Sequence, residues 1–142
     1  KDIINKSKEN NILYFSDIVD INSTNHRLAY EILRLEPFGA GNSKPKFLVK
    51  DLIIIDSSMI GADKNHVRCI FGAKDHLGGL SKNKISAICF KAMENKIGPI
   101  LIAKNKNNPI NVIAQININH WMGNESVQLI IEDIIPNTNY NE

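Results

Sequence analysis

Aromatic side chains are scarce in this chain, at 6% of its 142 residues, with a single tryptophan, Trp121. Aliphatic side chains must therefore supply most of any core, and at 43% hydrophobic residues they are sufficient. Cysteine is scarcer still. The two present, Cys69 and Cys89, lie in separate apolar runs and share no C-x-x-C spacing. Nothing supports a disulfide or a cysteine metal site, and buried free thiols in a reducing compartment are expected. No run approaches the roughly 20 apolar residues of a membrane span, and the polar N-terminus has no apolar signal segment. Charge is nearly balanced, with 17 Lys and Arg against 15 Asp and Glu, net +2 and pI about 8.5. That mild excess does not by itself imply nucleic acid. Lysine and asparagine are abundant, a bias that AT-rich coding can produce, so surface lysines carry little weight. The chain opens on Lys1, after which a short polar segment follows, and a fragment of a larger protein is expected.

What is abundant is isoleucine, which favours strands over helices. Ile12 to Ile21 reads as one strand. Asn22, Ser23 and Thr24 offer helix N-caps, Leu28, Ile32 and Leu35 follow at helical spacing, and Pro37 ends that helix. Beyond Pro45 the period changes to two. Strands are expected over Phe47–Ile55, His66–Phe71, Ile85–Phe90, from Ile110 onward, and over Val127–Ile135. In the second, Val67, Cys69 and Phe71 share one face, and His66, Arg68 and Ile70 the other. In the fourth, Ile110, Val112, Ala114, Ile116 and Ile118 face one way, and Asn111, Gln115, Asn117 and Asn119 the other. Met93, Ile97 and Ile100 stand near helical spacing, interrupted by Gly98-Pro99. The fold class is mainly β, a five-stranded OB-fold barrel preceded by a short α/β N-terminal segment. Strand count alone does not separate a closed barrel from a five-stranded sandwich.

Between the helical and β-rich parts runs Leu-Glu-Pro-Phe-Gly-Ala-Gly-Asn-Ser-Lys-Pro, residues 35–45. Its glycines are not a phosphate-binding loop, which needs a strand before them and a helix after; here the order is reversed. Pro37, Gly39, Gly41, Asn42 and Pro45 instead mark a structural turn. His26, His66, His76 and His120 are scattered without metal-ligand spacing, and no nucleophile–base arrangement is evident. No catalytic centre and no metal site are expected in this chain.

The run at 35–45 closely resembles the junction before the OB-fold domain of bacterial RecJ-type single-stranded-DNA exonucleases. Roughly 80 residues on, Asn119-His120-Trp121-Met122-Gly123-Asn124-Glu125-Ser126-Val127-Gln128-Leu129 resembles that family's N-x-W-x-G-x-E-S-x-Q-L turn and last strand, and Asp133-Ile134 fits its close. His66-Val67-Arg68-Cys69 resembles the second strand, which usually carries lysine where Arg68 stands. The resemblance spans roughly residues 12 to 136 and is thinnest between 73 and 108. It implies the end of the second, DHHA1-type core domain at 1–36, a junction at 37–45, the OB-fold domain at 46–136 and a polar tail at 137–142. It also implies a bacterial cytoplasmic enzyme of DNA repair and recombination. Its manganese- or magnesium-dependent phosphodiester hydrolysis belongs to an upstream catalytic core whose Asp- and His-rich motifs this chain lacks.

The expected role of this chain is then to bind single-stranded DNA, with the upstream core domains and a single-strand-binding protein as further partners. OB folds hold single strands across strands two and three, between the first and fourth loops. The candidate contacts are Lys64 in the first loop, His66 and Arg68 on the second strand, and Asn119, Trp121 and Asn124 at the last hairpin. Trp121 is read two ways, as a platform for a base or as a cap on the barrel end. The alternative function is a docking module for the core domains or a partner protein, with incidental DNA contact. The sparse outward aromatics favour that alternative.

Overall fold

The computed structural model describes residues 3–5, 13–15, 17–34, 45–75, 77–103 and 108–136. In chain order these form β1 (Ile3–Asn5), β2 (Leu13–Phe15), β3 (Asp17–Val19), α1 (His26–Leu33), β4 (Phe47–Ile60), β5 (His66–Gly72), β6 (Ile85–Cys89), α2 (Ile97–Ala103), β7 (Ile110–Trp121) and β8 (Asn124–Pro136). The fold is mainly β. β1 and β2 make a separate antiparallel pair, and the other strands form one sheet in the order β3-β4-β5-β6-β8-β7.

That sheet has six strands, not the five expected, because β3 adds itself in parallel to residues 47–49 of β4. The expected strand over 12–21 divides: β2 and β3 are short, and Ile21–Ser23 is a 3-10 turn capped by Asp20. Pairing also returns on itself, since Phe47, Leu48, Val49 and Leu52 of β4 lie opposite Ala114, Ile113, Val112 and Ile110 of β7. From β4 the ladder runs through β5, β6, β8 and β7 and back to β4. The β6–β8 step is parallel, and the others in the ring are antiparallel.

One strand can serve two neighbours in this way because β4 bends. Register shifts fall between Val49 and Leu52 and between Ile54 and Asp56. Asp51 sits at φ +60, and its N–H donates to the Asn111 side-chain oxygen at 2.9 Å. An extra residue in a ladder kinks a strand and raises its twist. The buried Asn111 departs from the expected outward face for this reason, as its amide satisfies the backbone at the bend.

The core lies inside the ring. Val49, Leu52, Val67, Phe71, Val112, Ile116 and Leu129 are all fully buried, and Cys69, Ala87 and Cys89 join them. Each large aliphatic or aromatic side chain so buried contributes about 1.5–3 kcal/mol. The expected alternation of β5 holds: Val67, Cys69 and Phe71 are buried, and Arg68 is exposed. α2 packs against β4 and β5, burying Leu101. Gly98-Pro99 does not interrupt that helix but starts it, since first-turn N–H groups have no helical partner and proline is tolerated there.

Helix α1 begins one residue later than its expected caps. Asn25 is the N-cap, its side-chain oxygen accepting the Leu28 N–H at 3.0 Å, while Thr24 is buried with its hydroxyl donating to the Ile21 carbonyl at 2.7 Å. The helix buries Ala29 and Ile32 and packs on β7 and β8. Of the expected junction, Pro37, Gly39, Gly41 and Asn42 lie outside the described residues; Pro45 leads directly into β4.

Candidate functional site

The outward face of the ring carries a polar groove. Arg68 on β5, Ser86 on β6, Asn119 on β7, and Asn124, Ser126 and Gln128 on β8 line about 500 Å³ of open space. The register explains how distant residues meet. Ile70 lies opposite Ser86, Ser86 opposite Gln128, Gln128 opposite Asn117, and Ser126 opposite Asn119. Strand alternation puts these side chains outside because their neighbours Cys69, Ala87 and Leu129 are buried inside.

A second groove of about 570 Å³ shares Arg68, Ser86 and Ser126 and extends beneath the start of α1, where Thr24, Asn25 and His26 form one wall. Lys84 and Glu125 border it. The α1 wall is fastened to the hairpin by Tyr30, whose hydroxyl donates to Glu125 Oε1 at 2.5 Å, while His120 Nδ1 stands 3.6 Å from Glu125 Oε2. The bond to Glu125 raises the Tyr30 hydroxyl above its ordinary 10.0. Arg68 also borders a smaller groove with Asp56 and Ser58, so three concavities share Arg68 as a lining residue.

The chemistry of the first groove is one cation surrounded by amides and hydroxyls. Asn and Gln amides donate and accept, and serine hydroxyls do both. Such a lining can satisfy sugars, base edges and phosphates, but it offers charge attraction only through Arg68. Among the described residues, no group of three or more His, Cys, Asp or Glu side chains could hold a metal ion. No helix among them is long and apolar enough to cross a membrane.

Of the residues expected to bind, Arg68, Asn119 and Asn124 come together in the first groove. Lys64 does not line it. It is exposed in the β4–β5 turn at φ +52, its N–H donating to the Gly61 carbonyl at 3.1 Å. His66 is half-buried, and its Nδ1 accepts the Lys91 N–H at 2.8 Å. The backbone of Trp121 pairs with Asn124 across a two-residue turn, Met122 and Gly123, both at positive φ. That is the type I′ pattern of tight hairpins. The Trp121 side chain, stacking platform or cap, lies outside the described side chains.

Ser86, Ser126 and Gln128 were missed by sequence reasoning. Alternation would have turned them outward, but the β5–β6 pairing brings Ser86 beside Arg68 and the parallel β6–β8 pairing brings Ser126 and Gln128 there.

Residues 17–133 match a family model described as the RecJ OB domain. Over 103 residues the chain is 27% identical to the protein "Single-stranded-DNA-specific exonuclease RecJ" of Bacillus subtilis (strain 168), a stretch covering 72% of this chain and 12% of that protein. The chain thus spans a small part of the curated relative's length.

Proposed function

The chain belongs to the RecJ OB-domain family, and from that membership we propose that it is a single-stranded-DNA-binding module of an exonuclease. The ring of β4, β5, β6, β8 and β7 is its OB barrel, with a long bent first strand shared between two neighbours. The observation that carries the reading is the convergence of three grooves on Arg68 on the outward face of β5 and β6. OB folds hold single strands on that face. Arg68 takes a phosphate, and the amides and hydroxyls of Asn119, Asn124, Ser126, Gln128 and Ser86 follow the strand. The module delivers the strand to a catalytic core elsewhere in the longer protein, in the bacterial cytoplasm. The manganese or magnesium of phosphodiester hydrolysis would belong to that core.

With one arginine in the groove, binding should be weak and modestly salt-dependent. Each phosphate contact on a single strand adds about 0.7 to the slope of log K against log salt. The test is fluorescence anisotropy with a labelled single-stranded oligonucleotide at low salt. Arg68→Glu should abolish most binding, and Arg68→Ala should lower the slope by about 0.7. Wild type that fails to bind at low salt refutes the reading.

One observation favours a docking role as a second reading. In the β5–β6 connection, Asp75 Oδ1 accepts the N–H groups of Leu77 and Gly79 at 2.9 and 3.0 Å, holding a tight turn. That turn displays Leu77 and Leu80 beside an apolar pocket of about 210 Å³ lined by Ile53 and Ile55. Partner docking there predicts that Leu77→Ser leaves DNA affinity unchanged.

A further inference from the structure

We propose that Phe90 and His66 form a stacking subsite for an unpaired nucleobase, at the end of the β5–β6 face beyond Arg68. This rests on the single-strand reading above and adds an aromatic platform beyond the residues described as lining the grooves around Arg68. Phe90 directly follows β6. Ile85, Ala87 and Cys89 are buried, so Phe90 continues the outward row of Ser86 and Ile88, and it is 55% exposed. Arg68 lies opposite Ile88. His66 and Phe90 therefore sit one pleat further along the same face, about 7 Å from the Arg68–Ile88 pair. Their ring centroids are 5.5 Å apart with planes at 75°, an edge-on contact.

A lone exposed apolar residue is ordinary on a protein surface. What distinguishes Phe90 is how firmly its surroundings are held. His66 Nδ1 accepts the Lys91 N–H at 2.8 Å, which fixes the imidazole against the phenyl ring. The turn after Phe90 is tied to the turn before His66: the Met93 N–H donates to the Asn65 carbonyl at 3.0 Å, and the Asn65 amide donates to the Glu94 carboxylate. Lys91 and Lys64, one in each turn, both adopt left-handed backbone, at φ +57 and +52. Non-glycine residues rarely adopt that conformation, and it concentrates at functional sites. Both lysines are exposed. The result is a firmly held aromatic step whose two turns each carry one lysine and one exposed carboxylate, Lys64 with Asp63 and Lys91 with Glu94, so stacking on a flat base and not charge is what the site offers. Stacking reads no base identity, so the subsite takes any base.

The test is anisotropy of the full chain with a labelled oligothymidylate over a salt series, for wild type, Phe90→Ala, Phe90→Leu and Phe90→Trp. Loss of one stacked base weakens binding about 5- to 150-fold. Phe90→Ala and Phe90→Leu should both show that loss with an unchanged salt slope, because a phenyl ring releases no counterions. Phe90→Leu keeps apolar bulk against His66, so a loss shared by both variants reports the ring and not the fold. Phe90→Trp should bind as tightly as wild type or more so. An oligonucleotide with abasic sites should bind wild type more weakly and largely erase the difference between wild type and Phe90→Ala. Wild type that binds while Phe90→Ala keeps the same affinity overturns the subsite and leaves the Arg68 reading standing. Wild type that does not bind at low salt overturns both.

Discussion

Replacing Gly98 by alanine sets two effects against each other. Helix propensity favours alanine over glycine by up to about 1 kcal/mol in a helix interior. Gly98 is buried near the start of α2, however, and a Cβ there would stand 2.4 Å from Met93 Sδ, 2.7 Å from the Ala92 carbonyl oxygen and 2.9 Å from the Ala92 carbonyl carbon. The thioether can swing aside, but the Ala92 backbone cannot move without shifting the turn that follows β6. Forcing atoms into a packed site costs about 1–3 kcal/mol. Pro99 adds to this, because a Cβ on the residue before proline disfavours helical backbone. The propensity gain is therefore outweighed, and we expect Gly98→Ala to destabilise the chain by about 2 kcal/mol, lowering Tm by roughly 4–8 °C. Urea unfolding followed by circular dichroism measures it as a lower midpoint at unchanged slope. Single-strand affinity should fall as well, since the displaced Ala92 adjoins Lys91 and Phe90. A variant as stable as wild type would refute the reasoning.

Met122 is a non-glycine residue at φ +50 in a two-residue hairpin turn and is 82% exposed. Met122→Asn gives the Asn-Gly pair such turns prefer and should raise stability by about 0.5–1 kcal/mol; an unchanged or lower urea midpoint would count against the turn assignment. Burial pushes the thiols of Cys69 and Cys89 from 9.0 up to about 12 and about 11, respectively. The unfolded chain therefore loses these protons first, so their stabilising contribution is complete below about pH 9 and declines as pH rises towards 11 to 12. At pH 8 both thiols should resist a thiol reagent until the chain unfolds, and rapid labelling of the native chain would contradict their burial.

The sequence disclosed the strands of the ring through alternation, and with them the outward direction of Arg68 and the buried cysteines. Alternation assigns faces within a strand but says nothing of which strand lies alongside. The parallel β6–β8 pairing and the β4–β7 closure join residues more than 40 positions apart, and the β6–β8 step, together with the β5–β6 and β7–β8 ladders, sets Ser86, Gln128 and Asn119 around Arg68. Bulges also defeat parity. Ile113 is buried although it is off the inward row, at a register shift beside Ala114. Phe90 was absorbed into the expected third strand as one more apolar residue. Its exposure depends on β6 ending at Cys89 and the chain turning at Lys91, which no local period announces. The N-terminal strands are three residues each, too short for a period to be read.

Closure of the ring decides how other proteins can approach. Each of its five strands has a neighbour on both sides, and β3 covers the second edge of β4 at residues 47–49. Unpaired strand edges are templates for self-association and for partners that add a strand. Pairing within the ring is partial: among the described residues, Ile53 to Ile60 of β4 pair only with β5, and Gln115 to Trp121 of β7 only with β8. β3, at three residues, is a poor template. Strand addition is therefore confined to those one-sided stretches of β4 and β7, and whatever binds elsewhere on the ring must recognise its side chains.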